Sequence, residues 1–278
     1  MSISVDHLDR TALEQVSRLC RRAIVDAPSS AELDDALFAP DQPVVLLGDP
    51  GIGVVAVAEC ADGPHIRLLA VDPSVRRQGI GRTLLLSAEG WAAAAGHHSL
   101  VTGADPPYHL WPGVPTTETA LLCLLEGHHY FRTETNFDMR VDLRAIPSDP
   151  GGHARARSGE RAEIDDWMAT HWPDWRQEVS RAADKGNLVL AREAGDHGAV
   201  VAFCAFEVNR RGQLGPVAVR PDLIGRGAGR AVLLGALHEL RRRGRDEVAV
   251  TWVGPVVPYA VVGGVVAETY FVYRRELT

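Results

Sequence analysis

Two stretches of this chain carry the same punctuation. VDPSVRRQGIGRTLL, starting at Val71, and VRPDLIGRGAGRAVL, starting at Val219, both read Val-x-Pro and then, six residues after the proline, Gly-x-Gly-Arg opening an aliphatic run. Gly79 and Gly227 stand 148 residues apart in a chain of 278, a little over half its length. Repetition at that distance favours two consecutive copies of one strand, loop and helix unit over a single large domain, since each half falls within the usual domain size.

The flanking segments repeat in the same order. In the first half, helical patterns over Thr11 to Ile24 and from Ser30 precede three short β-branched or aliphatic runs, Pro43 to Gly48, Gly53 to Glu59 and His65 to Val71. The helix TLLLSAEGWAAAA, the strand HSLVTGA, the helical TETALLCLLEG and the strand NFDMRVDL follow. Pro147 to Gly152 concentrates proline, glycine and small polar residues and reads as a linker, giving domains over 1–146 and 153–278. The order then restarts. Helical stretches over Gly159 to Ala183 split at HWPDW; NLVLARE and VVAFCAFEV are strands joined by AGDHG; QLGPVAV runs into the second glycine loop. GRAVLLGALHELRRRG is a helix, EVAVTWV a strand, and ETYFVYRREL a closing strand.

Composition removes several alternatives. With 46% hydrophobic and 23% charged residues, the chain is neither disordered nor fibrous. Its net charge of −7 argues against a broad nucleic-acid-binding face. Cys20, Cys60, Cys123 and Cys204 are scattered, with no CxxC pair and no secretory signal, so a disulfide framework and a zinc cluster are not expected and reduced cytoplasm is. The histidine doublets at 97–98 and 128–129 lack ligand spacing, so no metal is expected. Val248 to Ala267 is uncharged and long enough to span a bilayer, but Gly254, Pro255, Pro258, Gly263 and Gly264 break it into strand, loop and short helix.

A glycine turn between a strand and a helix aims backbone N–H groups out of the helix N-terminus, where the dipole also favours anions. Such a loop cradles phosphate. Arg76, Arg77 and Arg82 in the first copy, and Arg226 and Arg230 in the second, place positive charge beside it. A Walker loop is absent, because Gly81-Arg82-Thr83 lacks the lysine and the upstream glycine. A dinucleotide fingerprint is absent too, since neither loop has its third glycine in register.

These residues resemble the GNAT superfamily of acyl-CoA-dependent N-acyltransferases. Its coenzyme loop, [RQ]-x-x-G-x-[GA] after a strand ending in V-x-P, is matched fully by Arg76-Arg77-Gln78-Gly79-Ile80-Gly81 after Val71-Asp72-Pro73. The second copy matches in part: Gly227-Ala228-Gly229 fits, but Ile224 stands at the Arg/Gln position and Arg226 follows two places later. The resemblance covers nearly the whole chain. It implies an α/β class with two GNAT-like domains, each a mostly antiparallel twisted sheet with flanking helices and one splayed pair of strands for acyl-CoA. It further implies acetyl-CoA as donor, bound by Ala70, Val71, Arg76 to Gly81, Arg82 and Thr83 in one half and by Val217, Val219, Gly225, Arg226, Gly227, Ala228, Gly229 and Arg230 in the other.

The family's acid is a tyrosine in Y-x-x-x-G-F. Tyr259 with Gly263 fits, with Gly264 in place of the aromatic residue, whereas LLEGHHY in the first half puts Leu125 and His129 at the two positions. Tyr259 is thus either the acid or a core tyrosine. Glu207, and Glu59 at the equivalent place, are base candidates or surface carboxylates in ion pairs. Trp172, Asp174 and Trp175 would line an acceptor pocket or pack against the sheet, and Tyr108 to Gly113 in the first copy corresponds by position to Trp252 to Pro255. The expectation is an N-acetyltransferase acting on a small-molecule amine, as monomer or homodimer, without nucleic acid or membrane. A non-catalytic acyl-CoA sensor or scaffold is the alternative, because neither half carries a complete set of loop, acid and base.

Overall fold

A computed structural model describes residues 3–39, 41–193 and 198–277 of the chain. It divides into two compact units, residues 1–136 with 269–278 and residues 137–268.

In the first unit, β1 (Asp6–His7), α1 (Leu13–Ala23) and α2 (Ser30–Leu37) precede β2 (Val44–Asp49), β3 (Gly53–Cys60) and β4 (Gly63–Val71). Then come α3 (Ile80–Ala94), β5 (Ser99–Thr102), β6 (Val114–Pro115), α4 (Thr119–Gly127) and the first part of β7 (Phe131–Asp142). β1 to β4 form an antiparallel meander and β5 joins β4 in parallel. The middle of the meander is apolar on both faces. Val55 and Val57 pack with Leu84, Leu85 and Ala88 of α3. Val54 and Ala56 pack with Val16, Leu19 and Leu33 of α1 and α2. This two-sided burial is why GVVAVAE reads as an unbroken apolar run. Ser29 caps α2 in a reciprocal capping box with Glu32, which fixes where that helix starts.

The second unit repeats this order: β8 (Ala154–Arg155), α5 (Arg161–His171), α6 (Arg176–Asp184), β9 (Leu188–Arg192), β10 (Val200–Phe206), β11 (Gln213–Val219), α7 (Ala228–Arg242), β12 (Glu247–Val250), α8 (Val257–Ala260) and the start of β13 (Val265–Glu276). The 148-residue offset between the glycine loops holds along most of the unit, so α3 and α7, β5 and β12, and α1 and α5 begin at equivalent positions. β8 to β11 are antiparallel neighbours and β12 joins β11 in parallel. The AGDHG turn falls on residues 194–198, of which 194–197 lie outside the described residues. The uncharged stretch from Val248 resolves into a strand, a loop and the four-residue α8, and no helix among the described residues is long and apolar enough to cross a membrane.

The units do not follow a cut at 147–152. Residues 137–142 of β7 belong to the second unit, where Met139 to Asp142 pair antiparallel with Val250 to Glu247. Residues 269–278 belong to the first, where Tyr273 to Glu276 pair with Thr102 to Ser99. Two side chains fasten that returning strand: Tyr273 donates from its hydroxyl to Glu126 at 2.8 Å, and Arg275 donates to the buried Glu89 at 2.9 Å. Each unit therefore takes one sheet strand from beyond the place where the sequence divides. A fragment of residues 137–268 is expected to give cooperative thermal unfolding by circular dichroism. One of residues 153–278, which lacks the partner of β12, is expected to give none.

Candidate functional site

The parallel ladders are short in both units. His65 and Ile66 pair with Val101 and Thr102, and Gln213 and Leu214 pair with Ala249 and Val250, and there each ladder stops. Beyond that point β4 and β11 are paired on one side only, so Leu68 to Val71 and Pro216 to Val219 present backbone groups to a gap. A bulge marks the same place in each. One extra residue stands between Ile66 and Leu68 on β4, and one between Leu214 and Val217 on β11. Bulges re-aim the chain and end pairing, which is what opens the gap.

The residue at the bulge differs between copies, and so does what surrounds it. In the first unit it is Arg67, fully buried. Its guanidinium donates to Asp105, to the Gln42 side chain and to the Ala36 carbonyl, and lies 4.8 Å from the centre of the Tyr108 ring. Asp105 is also fully buried. Tyr108 and Leu110 complete a small cluster with Ala36, and all of these partners except Gln42 and Ala36 come from the long connection between β5 and α4. In the second unit the equivalent residue is Gly215, with φ +132° and open space where a side chain would begin. There the connection from β12 to α8 is only residues 251–256. One bulge carries a buried guanidinium bonded to its own loop, and the other carries no side chain.

The loops after these strands are built alike. Gly79 and Gly227 cap α3 and α7 in the left-handed conformation, with φ +86° and +91°. Two residues earlier Arg77 and Gly225 are left-handed as well, with φ +65° and +86°. Alternation of that kind turns successive N–H groups towards one point and forms an anion nest. Non-glycine residues rarely adopt such a φ, so the second loop makes the same nest without the strain Arg77 carries. The first amides of each helix, at Ile80, Gly81 and Arg82 and at Ala228, Gly229 and Arg230, have no intrahelical acceptor and extend it. Gly81 and Gly229 bring those helix starts close to Val71 and Val219; a side-chain carbon at 229 would meet Val219 at 2.8 Å.

Around the nests the arginines divide. Arg76 turns away, donating to the carbonyls of Val71 at 3.1 Å and Ala23 at 2.7 Å, so it straps the loop to the end of α1. Ile224, its equivalent, is 69% exposed and makes no strap. Arg77, Gln78 and Arg82, and in the second unit Arg226 and Arg230, are exposed beside the nests. Thr83 returns its hydroxyl to the Gly79 carbonyl at 3.3 Å.

Tyr259 sits on α8, half-buried against the α7 face of the second core. Its hydroxyl has no hydrogen-bond partner among the described residues, and burial pushes its pKa up to about 12. It is a phenol that stays protonated at neutral pH. In the first unit Leu125 and His129 occupy the corresponding places, and Leu125 is buried in the core.

The base candidates are corrected by the geometry. Glu207 accepts from Arg245 at 2.7 Å and from the Gly212 amide at 3.0 Å, with Arg243 at 3.6 Å. Burial works to raise its carboxyl, but these partners hold it below its ordinary value. Glu59 makes the matching pair with His97 at 2.9 Å. A side-chain bond appears at both copies of the position, tying the end of the third strand of the meander to the segment after the long helix. That is a structural bond, and a carboxylate so engaged is a poor proton acceptor.

The tryptophans of the second unit pack on the sheet. Trp172 and Trp175 stack at 5.3 Å, and Trp175 and Trp167 both meet Phe203 edge-on, at 6.5 and 5.9 Å. Asp174 is exposed beside them. Trp252, at the end of β12, has φ +54° and donates its amide to Asp138 at 2.9 Å; its counterpart Ala104 has φ +52°. The Trp252 turn therefore corresponds to the start of the 103–118 connection, upstream of Tyr108.

Comparison with known proteins agrees with this geometry. The model of the acetyltransferase (GNAT) family matches residues 11–109 and 153–258, and the chain belongs to that family, with two GNAT domains in tandem. Mycothiol acetyltransferase of Clavibacter sepedonicus is 28% identical over 262 residues, spanning 85% of this chain and 82% of that one. Mycothiol acetyltransferase of Rhodococcus opacus (strain B4) is 28% identical over 293 residues, spanning 89% and 90%. A solved tandem GNAT protein from the clavulanic acid biosynthesis pathway superposes with a TM-score of 0.74 at 14% identity, covering 100% of this chain and 99% of that one, and shows the shared fold.

The Arg67–Asp105 pair is testable by substitution. Arg67→Ala leaves a buried carboxylate without its counter-charge and is expected to cost about 3–5 kcal/mol of stability in urea denaturation. Arg67→Met with Asp105→Leu, which removes both charges, is expected to recover most of that loss.

Proposed function

We propose that this chain transfers an acetyl group from acetyl-CoA to an amine of a small-molecule acceptor, with the chemistry in the second unit and the first binding the donor without turnover. The observation that carries the assignment is the contrast between Gly215 and Arg67: the bulge leaves space for an acceptor in one unit and carries a buried guanidinium in the other. The loop of residues 225–230 fits a pyrophosphate, with two left-handed glycines, unpaired helix amides, and Arg226 and Arg230 beside them. Val217 and Val219 would lie along the pantetheine arm. In the first unit Ala70, Val71 and residues 76–83 would play the same part, with Arg76 acting through its strap on the loop rather than on phosphate.

Acetyl-CoA supplies the activated thioester. Attack by the acceptor nitrogen forms the C–N bond as the C–S bond breaks; the nitrogen sheds a proton to solvent, which restores the phenol, and the departing thiolate takes one up. Tyr259 would give it; the reading is supported by a phenol held neutral by burial, without a partner among the described residues, on the short helix that follows the splayed strands. Glu207 holds the fold together at Arg245 and takes no part as base. The relatives named mycothiol acetyltransferases make small amines of the mycothiol class the first acceptors to assay, with other small amines after them.

Tyr259→Phe is expected to lower kcat by about a hundredfold or more while leaving KM for acetyl-CoA unchanged. Gly215→Leu is expected to abolish turnover and spare donor binding at the first unit. Undiminished turnover in Tyr259→Phe would remove the acid role; thiol release undiminished in Gly215→Leu would move the chemistry to the first unit. Because Tyr259 titrates near 12, the rate profile of the parent enzyme between pH 6 and pH 10 is expected to show no falling limb that disappears in the phenylalanine variant.

A further inference from the structure

The hairpin joining β3 to β4 carries a second constellation. Cys60 and Gly63 are its closing pair, Ala61 and Asp62 its tip, and His65 lies across from Ala58. Strand alternation puts Cys60 and His65 on one face as diagonal neighbours, with Asp62 leaning in from the turn. The thiol, one carboxylate oxygen and one imidazole nitrogen all lie within 4.8 Å of one another.

The hydrogen bonds of His65 define a problem at this point. Its Nδ1 is 2.8 Å from the Gly103 carbonyl, which only accepts, so Nδ1 carries a proton. Its Nε2 then faces the Asp62 carboxylate at 3.2 Å. In a neutral ring two lone pairs would oppose one another, so a cation belongs between them. Two ligands each about 2.0–2.1 Å from a tetrahedral ion are roughly 3.3 Å apart, close to the separation seen. A proton on Nε2 would satisfy those two atoms and leave Cys60 a bystander. Cys60 stands on the same face with its sulfur within 4.8 Å of both atoms; the Gln42 amide nitrogen lies 3.4 Å from it while donating to the carbonyls of Glu59 and Pro106 at 2.9 Å. A backbone carbonyl fixing the imidazole tautomer is the outer contact of a metal-bound histidine.

We propose that Cys60, Asp62 and His65 bind one borderline-soft divalent cation of the zinc type, with a further position open to water. Sulfur, imidazole and carboxylate ligands together suit such an ion. Asp62 is 64% exposed and opens the site to solvent. As the sulfur–metal bond forms, the thiol proton leaves to solvent and no electron changes hands. The thiol and the imidazole bind the ion in their deprotonated forms, so affinity rises with pH. The positions equivalent to the three ligands in the second unit are Val208, Arg210 and Gln213, so the site belongs to the first unit alone. Gln42, Arg67 and Gly103 connect it to the contacts around the bulge.

The test is a Co2+ titration of the full chain after chelator treatment, read by absorption, followed by displacement with Zn2+. One equivalent is expected to give a thiolate-to-cobalt charge-transfer band in the near ultraviolet with intense visible bands, and Zn2+ to abolish both and raise the thermal midpoint. Cys60→Ser is expected to remove the charge-transfer band. Asp62→Asn, at an exposed tip that does not support the core, is expected to weaken binding at least about tenfold. Absence of stoichiometric binding would overturn the proposal and leave the cation as a proton on His65; so would a charge-transfer band that survives Cys60→Ser.

Discussion

Everything distinctive in this protein follows from two parallel ladders that stop after two residue pairs. A strand paired on one side only is costly in a buried sheet, because its free N–H and C=O groups need partners. The bulge on β4 and β11 concentrates that cost at one place, and each unit meets it differently. The first places a guanidinium at the bulge, bonded to a buried carboxylate, an amide oxygen and a carbonyl. The second leaves glycine there and keeps the backbone available to a ligand. The same local break in pairing thus holds a buried ion pair in one copy and a bare glycine in the other.

Charge placement supports this division. In the second unit exposed arginines stand beside the nest, while Glu207, before the splay, is paired to Arg245 and Asp222, after it, to Arg220. Such an environment favours an incoming anion at the loop. In the first unit the charges balance internally across Arg67 and Asp105 before any ligand arrives.

Much of this was legible in the sequence. The two loops fixed the offset between copies, and glycine at 79 and 227 gave both helix starts, because backbone conformation is a local property that local residues report. What depended on partners distant in sequence was not. The closing runs NFDMRVDL and ETYFVYRREL look alike, and nothing within either tells which sheet its ladder joins, so the cut at the proline- and glycine-rich stretch misplaced them. Arg67 sits in HIRLLAV as any edge cation would; its burial depends on Asp105 and Gln42, both more than twenty residues away. Glu207 reads as base or, more readily, as a solvated or paired carboxylate, and Arg245 beside it supplies the partner that the sequence does not name. The hairpin ligands were missed because Cys60 was weighed only against other cysteines.

The return of residues 269–278 to the first unit also orders events during synthesis. Domains made early in a chain ordinarily fold first as they leave the ribosome. Here residues 137–268 have all of their sheet in hand as soon as they emerge, while the unit begun at the N-terminus still has an unpaired edge at β5 and an uncovered face beside Glu89 and Glu126. The older half must wait for the youngest residues, so the second unit is the one able to mature first, and the arrival of Tyr273 and Arg275 completes the first.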